Sequence, residues 1–276
     1  MAITASDVNK LRQQTGAGMM DCKNALVESN GDFEAAVDIL RKKGQKIAAK
    51  RGENDAKEGL VFAQTTADAK TGVVLALNCE TDFVAKNDGF RNFVQSLVDV
   101  ALNNLPANAE ELKALKYDDK LTVEEKITEQ VGVIGEKLDL SQFAVLKADT
   151  VVAYNHPGNQ LATLVALNSG SETAIEAGRQ VAMQVAAMNP IALDKDGVDA
   201  RTIEREIEVG KDLAIQEGKP AEMAEKIAQG RLSKFFKENT LLSQEFVRDN
   251  KVTVEQFLAN TEKGLTVTEF KRFSLS

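Results

Sequence analysis

The run Val74-Leu-Ala-Leu-Asn78 comes back later in the chain as Leu164-Val-Ala-Leu-Asn168. Each copy is short, apolar without alternation and closed by an asparagine, a pattern that fits a buried strand. The surroundings repeat as well. Ahead of the first copy lies a strand pattern at 60–65, joined to 73–78 across Asp68-Ala-Lys-Thr-Gly72 as a β-hairpin. Ahead of the second lie a strand pattern at 142–154, a turn at His156-Pro-Gly158 and a strand at 161–168. Behind each copy come a polar connection and an amphipathic helix. Asp88 opens the first helix, with Phe90, Phe93, Val94, Leu97, Val98 and Ala101 on one face; Ile175, Val181, Ala182 and Val185 mark the second. Strand, strand and helix, twice over, predict an α+β core in two halves that share one architecture, with antiparallel sheets and packed helices.

The segments around this core read as helices. Thr4 and Asp7 have the spacing of a capping box, and Val8 and Leu11 follow before Gly16, which predicts a helix at about 5–14. A second pattern, Cys22 with Ala25 and Leu26, runs to Asn30-Gly31; a third runs from Asp32 through Phe33, Ala36, Val37 and Leu40 to Gly44. Residues 1–52 are thus expected to form a three-helix module of the ubiquitin-associated type. Its core holds little beyond Leu11, Leu26, Phe33, Val37 and Leu40, so its own stability should be marginal.

A polar link at 50–58 leads into the core, whose halves are assigned to 53–140 and 141–276. In the first half, Thr122 and Glu125 form another capping-box pattern ahead of Ile127, Val131, Ile134 and Leu138 on a second helix. The second half carries a helical hairpin inserted at about 198–238 and divided at Glu217-Gly-Lys-Pro220. Its apolar residues are sparse, Ile203, Ile207 and Leu213 against Met223, Ile227 and Leu232. A projecting antiparallel coiled coil with a narrow seam is expected. A helix at 254–258 and a strand at 265–273 complete the pattern.

Charge and residue usage exclude several classes of function. The formal net charge of -8 repels a phosphate backbone, so no nucleic-acid partner is expected. The one basic cluster, Arg41, Lys42, Lys43, Lys46, Lys50 and Arg51, reads as a solvated helix end and linker. No run approaches membrane-spanning length and the first residues lack a signal-peptide pattern, which predicts a cytoplasmic protein without membrane contact. Cys22 and Cys79, the two cysteines, read as small buried hydrophobes. His156 is the single histidine and lies in a turn, which leaves no multi-histidine metal site. Gly16-Ala-Gly18 has no strand before it, and no phosphate-binding Gly-x-x-x-x-Gly-Lys-Ser/Thr run exists. The acidic pairs Glu110-Glu111 and Asp118-Asp119 stand in polar stretches without a pocket signal. No catalytic site, cofactor or metal is expected, so the chain does not read as an enzyme.

Thr81, Asp82, Phe83 and Val84 differ in kind, because a phenylalanine beside an aspartate falls in the connection between a buried strand and a helix. Such connections carry recognition more often than cores do. The residues alone leave two readings open: a recognition loop, or Phe83 tucked under its own helix with Asp82 capping a turn. Met19 and Met20 are adjacent and cannot share a helix face. One is therefore expected in the core, with the other left for a partner.

Three segments carry a resemblance. Thr15-Gly-Ala-Gly-Met-Met-Asp-Cys-Lys23, Thr81-Asp-Phe-Val-Ala-Lys86, and Gly218-Lys-Pro220 with Gly230-Arg231 are similar, in order and spacing, to signatures of the elongation factor Ts family. The resemblance runs from about Ile3 to Phe273. It implies a guanine-nucleotide exchange factor for the GTPase elongation factor Tu. Thr81, Asp82, Phe83 and Val84 would enter the GTPase and disturb its Mg²⁺ and phosphate site, the factor staying bound until GTP or GDP displaces it. Arg12, Met19 and Met20 of the N-terminal module, and His156 of the second half, would add contacts. The implied assembly is a heterodimer, open to higher-order association. Longer members continue past the final strand into a helical module, a contact expected to be missing from a sequence that stops at Ser276. Two rival readings compete. One is a non-catalytic binding scaffold with a ubiquitin-associated-like head and another partner; the other is an enzyme using scattered carboxylates, for which no motif speaks.

Overall fold

A computed structural model of the chain describes residues 3–275; Met1, Ala2 and Ser276 lie outside the described residues. Three helices come first: α1 (Ala5–Thr15), α2 (Met19–Glu28) and α3 (Phe33–Arg51). The first half of the core follows as β1 (Glu58–Thr65), β2 (Thr71–Cys79), α4 (Asp82–Ala85), α5 (Asp88–Asn104), α6 (Ala109–Ala114), α7 (Val123–Ile134) and β3 (Asp139–Lys147). The second half opens with β4 (Thr150–Asn155), β5 (Leu161–Leu167) and α8 (Glu172–Met188), then α9 (Ala200–Gln216) and α10 (Ala221–Asn239). It closes with β6 (Glu245–Phe246), β7 (Asp249–Thr253), α11 (Val254–Thr261) and β8 (Val267–Ser274). The fold is α+β.

The two main sheets have the orders β1-β2-β3 and β4-β5-β8, antiparallel throughout. The apolar runs that repeat in the sequence are the central strands, β2 and β5, each covered on both faces. In β2, Val73, Leu75, Leu77 and Cys79 point toward α5 and α7, while Val74 and Ala76 face the other sheet. In β5, Val165 and Leu167 point toward α8, while Ala162, Leu164 and Ala166 face the first sheet. Helices, sheet, sheet and helices therefore stack in four layers. The repeat reaches into the register: β2 and β3 slip between Ala76 and Leu77, and β5 and β8 slip between Ala166 and Leu167, the matching residues of the two copies.

Several predicted features hold at the level of single residues. The Thr4–Asp7 and Thr122–Glu125 capping boxes are both made in full, and the whole predicted face of α5 is buried. The strand expected at 142–154 is instead two strands in two sheets, because β3 turns back onto β2 and only β4 pairs with β5. The first sheet thus draws on residues beyond 140. Leu138 is not on a helix: Gly135 takes a left-handed φ of 81° and ends α7, so Leu138 enters the core just ahead of β3.

Helix α3 runs through Gly44 to Arg51 rather than stopping at the glycine. Gly44 is buried where α3 crosses α7, and a Cβ on the facing Gly132 would stand 2.6 Å from the Gly44 Cα. The glycine is there for close approach, not for termination. The basic cluster accordingly lies along a helix, with Lys43 paired to Asp21 and Arg51 to Glu80. The core of α1 to α3 is Leu11, Cys22, Leu26 and smaller residues, with Phe33, Val37 and Leu40 only half-buried.

α9 and α10 pack against each other, with Lys211 paired to Glu225 and Arg231 to Glu217. Their seam departs from expectation, since Leu213 and Met223 are exposed while Gly210, Ala214, Ala224, Ala228 and Leu232 are buried. Small side chains bring the two backbones close, and contact replaces the interlocking of large residues. At the root of the pair, the Ile191 amide donates to the Asn239 carbonyl and the Leu241 amide to the Ala192 carbonyl, each at 2.9 Å. Among the described residues no helix is long and apolar enough to cross a membrane.

Candidate partner-binding site

The connection after β2 contains one helical turn, α4, too short for any periodicity to reveal. Thr81, not Asp82, is its N-cap: the Thr81 hydroxyl accepts from the Val84 amide at 3.4 Å. Ala85 is buried and pins the turn to the core, with Val84 half-buried beside it. Phe83 points the other way and is 83% exposed, more than any other large apolar side chain described. The reading in which this ring tucks beneath its own helix is overturned. Full burial of such a side chain is worth about 1.5–3 kcal/mol, so the fold leaves that gain unrealised here.

Two carboxylates hold the turn from below. Glu136 accepts from the Glu80 amide at 3.1 Å, from the Thr81 amide at 3.0 Å and from the Thr81 hydroxyl at 2.6 Å. Glu80 in turn accepts from the Lys137 amide at 2.6 Å, from Arg51 at 2.8 and 2.9 Å, and from Asn54 at 3.1 Å. The Lys137 amide, then Arg51 and Asn54, hold the Glu80 carboxyl below the usual glutamate range. Asp82 meets Lys86 Nζ at 2.6 Å, and that hydrogen bond keeps its carboxyl below the usual aspartate range, so it is charged at neutral pH. Cys79, directly ahead of the turn, donates to the Thr81 carbonyl at 3.2 Å. Burial first, and the Glu136 charge second, push its thiol up to about 12. It is an unreactive structural thiol.

A groove of about 610 Å³ runs beside the exposed ring, lined by Phe83, Val84, Phe90, Val133, Ile134 and Gly16. Gly16 belongs to the turn between α1 and α2, so the N-terminal helices border the same groove. Arg12 lies in the last turn of α1, just ahead of that connection, and is exposed. Met19 and Met20 open α2 just after it, and both are exposed, at 45% and 64%. The expectation that one of them enters the core fails, because Cys22, Ala25 and Leu26 fill that face of α2. His156 stands outside the groove, exposed in the turn between β4 and β5, with Nδ1 3.0 Å from the Tyr154 hydroxyl. That turn is tied to α5 through Arg91, which donates to Asn159 at 2.9 Å.

Glu80 and Glu136 escaped sequence reasoning. Their partners, main-chain amides and side chains alike, lie far away in the chain and leave no spacing to find; the left-handed Gly135 beside Glu136 is the sole local signal.

Comparison with known proteins places these features in a family. Residues 80–276 match the family model described as Elongation factor TS. The chain is 56% identical over 273 residues to the Elongation factor Ts of Amoebophilus asiaticus, a match covering 99% of this chain and 98% of that one. It is 54% identical over 275 residues to the Elongation factor Ts of Cytophaga hutchinsonii, covering 99% of both. Against that of Christiangramia forsetii the identity is 51% over 274 residues, covering 99% of this chain and 98% of the other. The matches take in the clasped turn, both sheets and the helix pair, and they extend over nearly the whole length: the chain belongs to the elongation factor Ts family.

Proposed function

We propose that this chain promotes GDP release from the GTPase elongation factor Tu by inserting Thr81, Asp82, Phe83 and Val84, the Phe83 ring leading. The observation that carries the reading is the solvated ring on a turn anchored from beneath. Filling an apolar pocket with such a ring buries about 150–250 Å² and makes it a binding hot spot. The displacement it forces in the partner, with the charged Asp82 carboxylate beside it, disturbs the near-octahedral coordination that Mg²⁺ demands. The phosphates then lose their counter-ion. Linkage makes the effect reciprocal: a factor that weakens GDP is itself weakened by GDP, so it stays bound until GTP or GDP displaces it. Exchange is accelerated and the final equilibrium is unchanged, so the chain acts as an exchange factor without bond chemistry of its own.

In this reading Arg12, Met19 and Met20 extend the contact from the groove's N-terminal border, and His156 adds one from the second half. The complex is a heterodimer in the cytoplasm. α1 to α3 act as a ubiquitin-associated-like module, and α9 with α10 as a projecting coiled coil. The test is release of fluorescent GDP from purified elongation factor Tu, followed by stopped flow. Release is expected to accelerate with added protein until it saturates; unchanged release at high protein concentration overturns the reading.

A further inference from the structure

The exposed ring raises a question of order, because a one-turn helix has almost no stability of its own and would fray in water. Buried Ala85 anchors its end, and three polar contacts beside it differ in how firmly they hold its start. The Thr81 cap is a long hydrogen bond at 3.4 Å, and Lys86 with Asp82 is an exposed pair within the turn itself. Glu136 is different. It comes from just beyond the C-terminal end of α7, is half-buried, and takes two consecutive main-chain amides and a hydroxyl with one carboxylate. Main-chain bonds fix the direction of the chain as it leaves β2, and so the direction of every side chain after it. Charge-assisted bonds of this kind are among the stronger ones in proteins.

We propose that Glu136 is a positioning residue for exchange: by clasping the amides of Glu80 and Thr81 and the Thr81 hydroxyl, it holds the turn in the conformation that presents Phe83 to the partner. The clasp is reciprocal, since Glu80 takes the amide of Lys137, the residue after Glu136. Glu80 also takes Arg51 at the end of α3. The turn is thereby locked to both the core and the N-terminal helices. This inference rests on the reading of Phe83 given above. Without the clasp the turn is competent for only a fraction of the time, and the apparent affinity for the partner falls by that fraction, while the maximal rate at saturation is kept.

The test uses the full chain and elongation factor Tu loaded with fluorescent GDP. Glu136→Ala is expected to raise the half-saturating concentration about tenfold, the factor for leaving roughly one backbone residue unfixed, with the maximal rate preserved. Glu136→Gln keeps the volume and one acceptor oxygen, and is expected to give a smaller rise. In a Phe83→Ala background, Glu136→Ala should add less than about twofold, since it acts through the ring. Hydrogen exchange of the free protein should show the Glu80 and Thr81 amides opening faster in both variants. An equal rise in both backgrounds marks a merely structural role and overturns the proposal, as does unchanged protection of those two amides. If Phe83→Ala alone leaves release intact, the reading of the ring fails separately, and the amide measurement still decides whether Glu136 holds the turn.

Discussion

The two halves of the core leave their central strands in different ways. After β5 the chain passes almost directly into α8, whose N-cap is Ser171. Glu262 collects the hydroxyls around that step: Ser169 at 2.7 Å, Ser171, and Thr173 at 3.4 Å. After β2 an additional helical turn is inserted before α5, and Glu136 collects main-chain amides. Both glutamates occupy the same place in the repeat, between the last helix and the last strand of their half. One closes a tight connection through side chains; the other fixes the backbone of a turn that carries an aromatic ring outward. Sheet geometry is shared down to the matching bulges, and the connection is where the halves part. A duplicated scaffold can specialise a single loop because the sheets beneath it stay rigid.

The contrast between an outward ring and a core ring is tested by truncating two phenylalanines seven residues apart in sequence, Phe83 and Phe90. Phe90 is 2% exposed, and Phe90→Ala is expected to cost about 3–5 kcal/mol of stability by denaturant unfolding. Phe83→Ala should leave the unfolding midpoint nearly unchanged and slow GDP release by at least about 30-fold. Early unfolding of Phe83→Ala with full exchange in the folded fraction would return the ring to the core. Asp82→Ala should slow release less than Phe83→Ala does.

A smaller effect is expected from Gly132→Ala, which puts a methyl group into the crossing of α3 and α7. Overpacking of this kind costs about 1–3 kcal/mol. Faster proteolysis within α3 than within β2 would show that the N-terminal helices detach before the core; uniform sensitivity would show one cooperative unit.

The second half offers the control. Glu262→Gln should lower the unfolding midpoint by about 2 °C or less and leave GDP release unchanged, because no exposed ring depends on that connection. Ser171 foremost, then Ser169, hold the Glu262 carboxyl below its ordinary value of 4.5. A depressed carboxyl stabilises the fold above its unfolded pKa, and the contribution is lost as pH falls through the folded one. The difference between wild type and Glu262→Gln should therefore be constant above about pH 4.5 and close below it. A difference that persists into acid would assign the effect to shape instead of charge.

The smallest change to the core should follow replacement of 198–238 by a short Gly-Ser linker. None of the buried clusters around the two main sheets draws on α9 or α10, and the root of the pair is already bridged at 191–193. Cooperative thermal unfolding should survive; its loss would make the pair integral.

What could be read in the sequence depended on the range over which residues act. The face of α5 and the two capping boxes were legible because helical periodicity and caps are local. Gly44 misled because a glycine that ends a helix and one that admits a neighbouring helix look alike until the neighbour is known. The strand at 142–154 merged two elements for a similar reason: both stretches are apolar, and only their partners, β2 and β5, tell them apart. At the site, Phe83 was singled out by its place in the connection and by resemblance, whereas its exposure came from the structure. Glu136 was invisible because its acceptor role is written in main-chain amides.

The strand order also has a consequence for how the molecule acquires its shape. β3 reaches β2 across four helices, while β8 can complete the second sheet only after α8, the helix pair, β6, β7 and α11 have been made. Closure over such a span is slow, although the bridged root lets the helix pair form as a local detour that adds little to the entropic cost. Chains fold from the N-terminus as they are synthesised. The first sheet, its clasp and its outward ring can thus form while β8 is still absent, offering Val61, Ala63, Val74 and Ala76 as a finished apolar face onto which the second sheet condenses.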